Sequence, residues 1–399
     1  MSKDSVTVEK EGIGTYFIPS LFLSRFTISP PGTLLSLLLI EIGLTFGLQV
    51  GIVGQISAAN SLVSLIASFI MGALSIRFSH KRLLMTGLLI RALSAATCAF
   101  STSYPVMLLF FSLNGLGAAL IAPMTMSLTA EYLQNEDRAS AIGWIILSMP
   151  ASSIIGSLAI NFIASFGSWR LPFLAFILPI NILCLMFVTI GVPSSKRKRT
   201  VSGNNGIFKG FTEIFTKKSA IACLIGTVFS AASIGGFLVY QVSFFRQRFL
   251  VSMDFASLMF IGNALCMALG SRIAGRFMGS VGSRRLWALA MILSGVSIVL
   301  ALIIPNLWIS LILALIINFQ LGLAYTSANS LTLDQVPSFS GTIMSLFTAA
   351  NSMGATIGAS LGGVILLMYN YSSLGLVLGL MGFLAALIVY FWAHETTQS

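Results

Sequence analysis

Leu286 to Leu333 reads LWALAMILSGVSIVLALIIPNLWISLILALIINFQLGLAYTSANSLTL, 48 consecutive residues without an Asp, Glu, Lys or Arg. A helix crosses the hydrocarbon core of a bilayer with roughly 20 apolar residues, so this tract holds two crossings. Pro305-Asn306 is where the chain turns between them. Backbone N–H and C=O groups in hydrocarbon must be satisfied within their own segment, which makes the crossings helices. The tract that follows, between Asp334 and Glu395, runs 60 residues on the same terms, with Tyr369-Asn370 as its turn.

The rest of the chain divides in the same way. Of 399 residues, 56% are apolar and 8% charged, against about 25% charged in a soluble protein. So few charges cannot cover the surface of a soluble fold of this size. Spans are expected at Leu34 to Val53, Ser57 to Ile76, Leu83 to Phe100, Pro105 to Leu128, Ala139 to Ala164 and Leu171 to Val192. A second set follows at Ala220 to Phe244, Phe255 to Ala274, Leu286 to Ile304, Leu307 to Thr332, Thr342 to Leu367 and Ser373 to Trp392. The short alternating segments of an outer-membrane barrel do not occur. The fold class is therefore an all-α membrane protein of about twelve transmembrane helices.

Lys and Arg in short loops set orientation, because they stay on the cytoplasmic side. Arg77, Lys81 and Arg82 follow the second span, and Arg272, Arg276, Arg284 and Arg285 follow the eighth. Lys196 to Arg199, Lys209, Lys217 and Lys218 lie between the sixth and seventh. Loops of the other parity carry Arg170, and Arg246 and Arg248 beside Asp254. The basic loops and both termini are thus expected on the cytoplasmic face of a cell membrane, and topology accounts for the net charge of +11. A nucleic-acid partner is not needed to explain it.

The first dozen residues are polar and carry mixed charge, unlike a cleavable signal peptide. Tyr16 to Ile28 is apolar with one Arg25 and ends at Pro30-Pro31, which reads as an interfacial helix leading into the first span. Cys98, Cys184, Cys223 and Cys266 fall inside the spans without metal-ligand spacing, and read as small packing residues.

The chain repeats itself. Gly72-Ala-Leu-Ser-Ile-Arg-Phe-Ser-His-Lys-Arg-Leu83 after the second span matches Gly275-Arg-Phe-Met-Gly-Ser-Val-Gly-Ser-Arg-Arg-Leu286 after the eighth, 203 residues later. Ser127-Leu-Thr-Ala-Glu131 matches Ser330-Leu-Thr-Leu-Asp334 at the same 203-residue offset. Two anchors sharing one offset imply two homologous halves of six spans, parallel because six is even. Residues 34–192 form the first half and 219–392 the second. A basic cytoplasmic linker (193–218) joins them, with an N-terminal cytoplasmic or interfacial segment (1–33) and a cytoplasmic tail (393–399) outside. The linker's Gly203-Asn-Asn-Gly206 is flexible, solvated composition.

These features resemble the major facilitator superfamily, and within it the twelve-span drug:proton antiporters. The resemblance covers nearly the whole chain. Its most specific element is the family's Gly-x-Leu-Ala-Asp-Arg-x-Gly-Arg-Lys loop, matched by Gly72, Leu74, Arg77 and Lys81, while Ile76 replaces the Asp, Ser79 a Gly and His80 an Arg. The glycine would let two helices approach closely, and the cations would hold the loop inside. Gly275 and Arg284 keep the second copy, next to Arg285. Trp169-Arg170 resembles the family's turn before the sixth span, and Glu131 with Arg138 its acidic-then-Arg pattern, with Asp334 as repeat partner. Seven residues apart, Glu131 and Arg138 are expected to share a helix face. The family's fourth-span Arg-x-x-Gln-Gly is here Phe111-Ser-Leu-Asn114-Gly115, so an intramembrane Arg tied to proton coupling is missing. Gly354, Gly358 and Gly362 make a small-residue stripe expected to serve helix packing during rocking. The resemblance implies a secondary transporter working by alternating access, with no cofactor, metal or enzymatic activity, acting as a monomer.

Ionisable residues in hydrocarbon are costly and face the bundle interior. Glu41 and Arg91 are the two that these spans place deep, at about 10 Å and 12 Å from the inner ends of their helices. Glu41 is the proton-coupling candidate, because a buried carboxylate can load and release a proton near neutral pH. By the family's arrangement the cavity is lined by the first, fourth, seventh and tenth helices, giving Gln49, Asn114, Tyr240, Gln241, Asn318, Gln320 and Tyr325 as substrate candidates. The expected activity is proton-coupled efflux of hydrophobic or cationic small molecules, with a facilitator or importer of a small polar metabolite as the alternative. Phosphate-binding loops and nucleophile–base sets are missing from the sequence, which argues against a pump or an enzyme.

Overall fold

The computed structural model describes residues 15–133, 135–193, 212–336 and 339–395. Among these, twelve helical spans are long and apolar enough to cross a membrane. The turn residues read from the sequence act as helix caps. Asn306 Oδ1 accepts from the backbone N–H of Trp308 and Ile309, and Asn370 Oδ1 accepts from Ser373. The tenth and twelfth spans, Leu307–Gln335 and Tyr371–Trp392, start at those caps.

The first span departs from expectation. Residues read as an interfacial helix form Phe17–Phe26, whose Phe17 and Leu21 are fully buried, and which continues after a break into Pro30–Phe46. Together they make one crossing of 30 residues, Phe17–Phe46. Pro30 and Pro31 supply no N–H, so they begin a helix readily but cannot continue one, and the break falls just before them. At the far end Gly47 takes a left-handed conformation (φ 66°), and Leu48 N–H returns to the Gly43 carbonyl at 2.8 Å. That closure is a glycine C-cap. In the sixth span Pro179 lacks an amide, and the turn before it, Phe173–Ile177, widens to a π-turn.

Packing repeats between the halves. The fourth span, Tyr104–Tyr132, lies against the second and third, and the third against the sixth. Six spans later, the tenth lies against the eighth (Met253–Val281) and ninth (Ser283–Ile303), and the ninth against the twelfth. The second span then meets the eleventh (Ser340–Met368), the fifth (within Asn135–Ala164) meets the eighth, and the first meets the seventh, Lys218–Phe249. Leu89, Leu109, Ile190, Leu293 and Leu380 stay exposed, an apolar surface suited to lipid rather than water. Most of the basic linker lies outside the described residues. Where it resumes, Ile214 is buried against Ala220, Val336 and Ile343 of the second half.

The glycine stripe serves close helix packing, against a neighbour in its own half. A Cβ at Gly354 or Gly358 would run into the carbonyl of Val228 or Ala232, and one at Gly362 into the ring of Tyr240. All three neighbours are on the seventh span, so the stripe cements two helices of one half. The close approach between halves belongs to Gly51 and Gly363, where a side chain on either would strike the other's backbone carbonyl.

Candidate functional site: the junction between the halves

Hydrogen bonds between described residues of the two halves all lie at the end away from the linker. Arg246, in the last turn of the seventh span, reaches Glu41 through Nη2 to Oε1 at 2.6 Å and Nη1 to Oε2 at 2.9 Å. The same Nη1 donates to the Leu37 carbonyl at 3.1 Å. A fork-to-fork guanidinium–carboxylate pair is the strongest geometry open to two side chains. Asn161 Nδ2 donates to Asp254 Oδ1 at 2.7 Å, joining the fifth span to the eighth, and Gln55 Nε2 donates to the Ser360 carbonyl at 3.2 Å, joining the second to the eleventh.

Glu41 is therefore not deep. It stands five residues before the end of its helix at Phe46, about 7.5 Å from that terminus. Its side chain is 30% exposed and that of Arg246 is 17% exposed. The sequence reading counted depth from Leu34, whereas the span begins at Phe17, and this moves Glu41 from mid-membrane to the mouth. Beside the pair is a pocket of about 470 Å³ lined by Leu38, Glu41, Thr45, Trp169, Arg170 and Met253. Trp169 Nε1 donates to Thr45 Oγ1 at 2.8 Å, and the Arg170 guanidinium stacks 4.3 Å from the Trp169 ring while donating to the Ser101 carbonyl.

Sequence reading missed Arg246 as the partner, and a signal for it existed. The 203-residue offset puts Glu41 level with Phe244, two residues from Arg246. Repeat-related helices carry matching positions to matching depths.

The other candidates scatter. Gln49 is exposed in the loop ahead of the short helix Val50–Val53, so it does not line an interior cavity. Tyr240 is fully buried, donates to the Ala359 carbonyl at 2.7 Å, and fills the space left by Gly54 and Gly363, which makes it part of the seal between halves. Asn114 is buried and donates to Ser94 Oγ at 2.6 Å, a tie between the third and fourth spans. Gln241 accepts from Asn263 at 3.3 Å, and Asn318 donates to the Ala314 carbonyl one turn back. Gln320 is buried with its Oε1 unpaired. Tyr325 is 45% exposed and stands edge-on to Phe347 of the eleventh span.

Arg91 is not paired with Glu41. At 1% exposure it donates to the carbonyls of Asn114, Thr27 and Ile28. The last two are set free by the break in the first span, so Arg91 closes a gap in the backbone that Pro30 and Pro31 create.

At the linker end, Glu131 contacts His80 Nδ1 at 2.8 Å, the histidine standing where the resembled motif has an arginine. Glu131 and Arg138 do not share a helix, because the fourth span stops at Tyr132 and the next helix starts at Asn135. The surroundings of Gly72 and the side chains of Arg77 and Arg138 lie outside what the structure describes. Lys81 donates to the Thr189 and Val192 carbonyls and ties the loop to the end of the sixth span. Ser79 caps the third span, its Oγ accepting from the Arg82 backbone N–H. Arg284 donates its N–H to Glu395 at 2.9 Å and its Nη1 to the Ala393 carbonyl, while Arg285 and Asp334 are exposed. Open space surrounds the position a Cβ would take at Gly275, so close helix approach does not require that glycine.

A family model described as Major Facilitator Superfamily matches residues 20–249 and 223–399. The chain belongs to the major facilitator superfamily. It is 26% identical to the uncharacterized MFS-type transporter YceJ of Bacillus subtilis (strain 168), over 86% of this chain and 88% of that one. It is 20% identical to multidrug resistance protein 2 of the same organism, over 78% and 79% of the two chains. The fold matches a crystal structure of a mutant of the nucleoside transporter NupG with a TM-score of 0.78 at 14% identity, covering 94% of this chain and 98% of that one. As a superfamily member the chain is an integral membrane transporter of small molecules, built from two parallel six-helix halves.

Proposed function

We propose that this transporter couples proton entry to the export of hydrophobic small molecules, with the linker end facing the cytoplasm. One observation carries the reading. The halves are fastened at the end away from the linker by a bidentate ion pair, Arg246–Glu41, that a single proton can release. Protonated Glu41 loses its charge and one of its two acceptor positions, so Arg246 keeps the Leu37 carbonyl and a single neutral hydrogen bond in place of the bidentate ion pair. A proton arriving from outside thus unlatches the outer mouth. Re-forming the pair after deprotonation shuts it. The likeness to a protein named for multidrug resistance supports export of apolar compounds. Cationic compounds fit the geometry less well, because Glu41 is committed to Arg246 at the mouth.

A facilitator is the second reading, favoured by the same placement: a latch at the mouth can gate the path without carrying a proton across. Proteoliposomes holding Nile red or 1-pyrenebutyrate separate the two. Under an imposed pH gradient, substrate movement with matching proton counterflow is expected in the wild type, and neither under Glu41→Gln. Substrate flux with no proton movement in the wild type would establish the facilitator.

A further inference from the structure

Arg25 and Arg91 are the arginines more than a turn inside the spans of the first half, and the structure uses them in different ways. Arg91 gives both terminal nitrogens to three backbone carbonyls, leaves its Nε unpaired, and at 1% exposure is sealed from any ligand. Arg25, in the last turn of Phe17–Phe26, makes one hydrogen bond, from Nη1 to the Ala122 carbonyl of the fourth span at 3.0 Å. Its Nε is buried with no partner, although the side chain as a whole stays partly open. Among the described residues no carboxylate stands within ion-pair distance of it.

Where this guanidinium points decides what it is for. Ala122 belongs to the fourth span, and Tyr325 stands on the tenth span of the other half. The three share one depth: Arg25 is eight residues from the linker end of its span, and Ala122 and Tyr325 are ten from theirs, so each sits about 12–15 Å in. A snorkelling arginine would climb its own helix toward the headgroups. Arg25 instead extends sideways to another span at its own level. Tyr325 keeps its phenol available, with the ring edge-on to Phe347 and almost half its surface open.

An unpaired cation in hydrocarbon carries a heavy cost unless something supplies the counter-charge. The planar fork of arginine matches a carboxylate better than any other common partner. We infer that Arg25 is the substrate anchor: it binds a carboxylate carried by an otherwise apolar substrate, with the Tyr325 hydroxyl as second donor from the opposite half. Because the two donors come from different halves, a bound carboxylate draws the halves together at that level. The substrate class is thus lipophilic organic acids. This rests on the export reading for its direction, though not for the binding site itself.

The test uses one apolar body with three head groups: 1-pyrenebutyrate, its methyl ester, and 1-pyrenebutylamine. Binding to purified full-length protein in detergent is read by pyrene fluorescence, and flux is read separately in proteoliposomes. Wild-type protein is expected to bind the carboxylate about tenfold to a hundredfold more tightly than the ester, the size of a charge-assisted hydrogen bond made in a dry site. Arg25→Gln should erase that preference and leave ester binding unchanged, Arg25→Lys should keep part of it, and Tyr325→Phe should lose a smaller share. Gel filtration and an unshifted melting temperature identify variants that remain folded. Equal binding of all three probes by the wild type, or a carboxylate preference that survives Arg25→Gln, would overturn the anchor. Carboxylate-selective binding without flux would leave the anchor standing and remove the export reading.

Discussion

Glu41 and Arg246 meet because the first and seventh helices are copies of one another, and copies carry equivalent positions to equivalent depths. With both side chains partly sheltered, the pair should contribute about 1–2 kcal/mol, between the values for exposed and buried pairs. Glu41→Gln and Arg246→Gln are each expected to lower the melting temperature in detergent, and the double variant to lower it by less than the two single shifts together. Full additivity would show that the pair does not couple. Arg91 makes a different prediction. Removing it as Arg91→Leu strands the carbonyls of Thr27 and Ile28 at the break in the first span, at a cost of about 2–4 kcal/mol. The variant should melt several degrees lower while any folded fraction keeps its proton response. Both arginines are plain in the sequence, but their partners are not. Arg91 answers to carbonyls, which no side-chain pattern announces, and the depth of Glu41 depended on where its helix began.

Helix existence was legible because charge-free tracts have no other use in a chain this long. The turns at Pro305-Asn306 and Tyr369-Asn370 were legible as turns, and the structure adds that each asparagine caps the helix that follows. The first span was misjudged at its beginning. Pro30-Pro31 reads as a stop, yet here it only interrupts a crossing whose earlier turn is buried. The glycine stripe was legible as packing but not as to which neighbour it packs on, since spacing gives the face of a helix and not its partner. At the crossing between halves, Gly51→Ala and Gly363→Ala each push a methyl group into the opposing backbone, at about 1–3 kcal/mol. Either should loosen the outer closure, seen as faster labelling of a cysteine introduced at Thr45. Gly275→Ala, with open space around it, is the matched control and should change neither labelling nor stability.

At the scale of the molecule, the repeat predicts a machine of two bodies, and the contacts show where the bodies are fastened. Arg246–Glu41, Asn161–Asp254 and Gln55–Ser360 all sit at the end away from the linker. Alternating access requires that this end part when the other closes. Spin labels at Leu44→Cys and Leu250→Cys, both well exposed at the fastened end, report one gate. Labels at Phe78→Cys and Phe277→Cys report the other, with Cys266 replaced by Ser and the buried native cysteines kept. Pulsed dipolar distances between each pair, measured in lipid nanodiscs across a pH series and with Glu41→Gln, test the central claim directly. At neutral pH the Leu44–Leu250 distance should be short and narrowly distributed. Acidification or Glu41→Gln should lengthen it while the Phe78–Phe277 distance shortens. If both distances stay fixed under both treatments, the ion pair is not a gate and the alternating-access mechanism proposed for this chain is wrong.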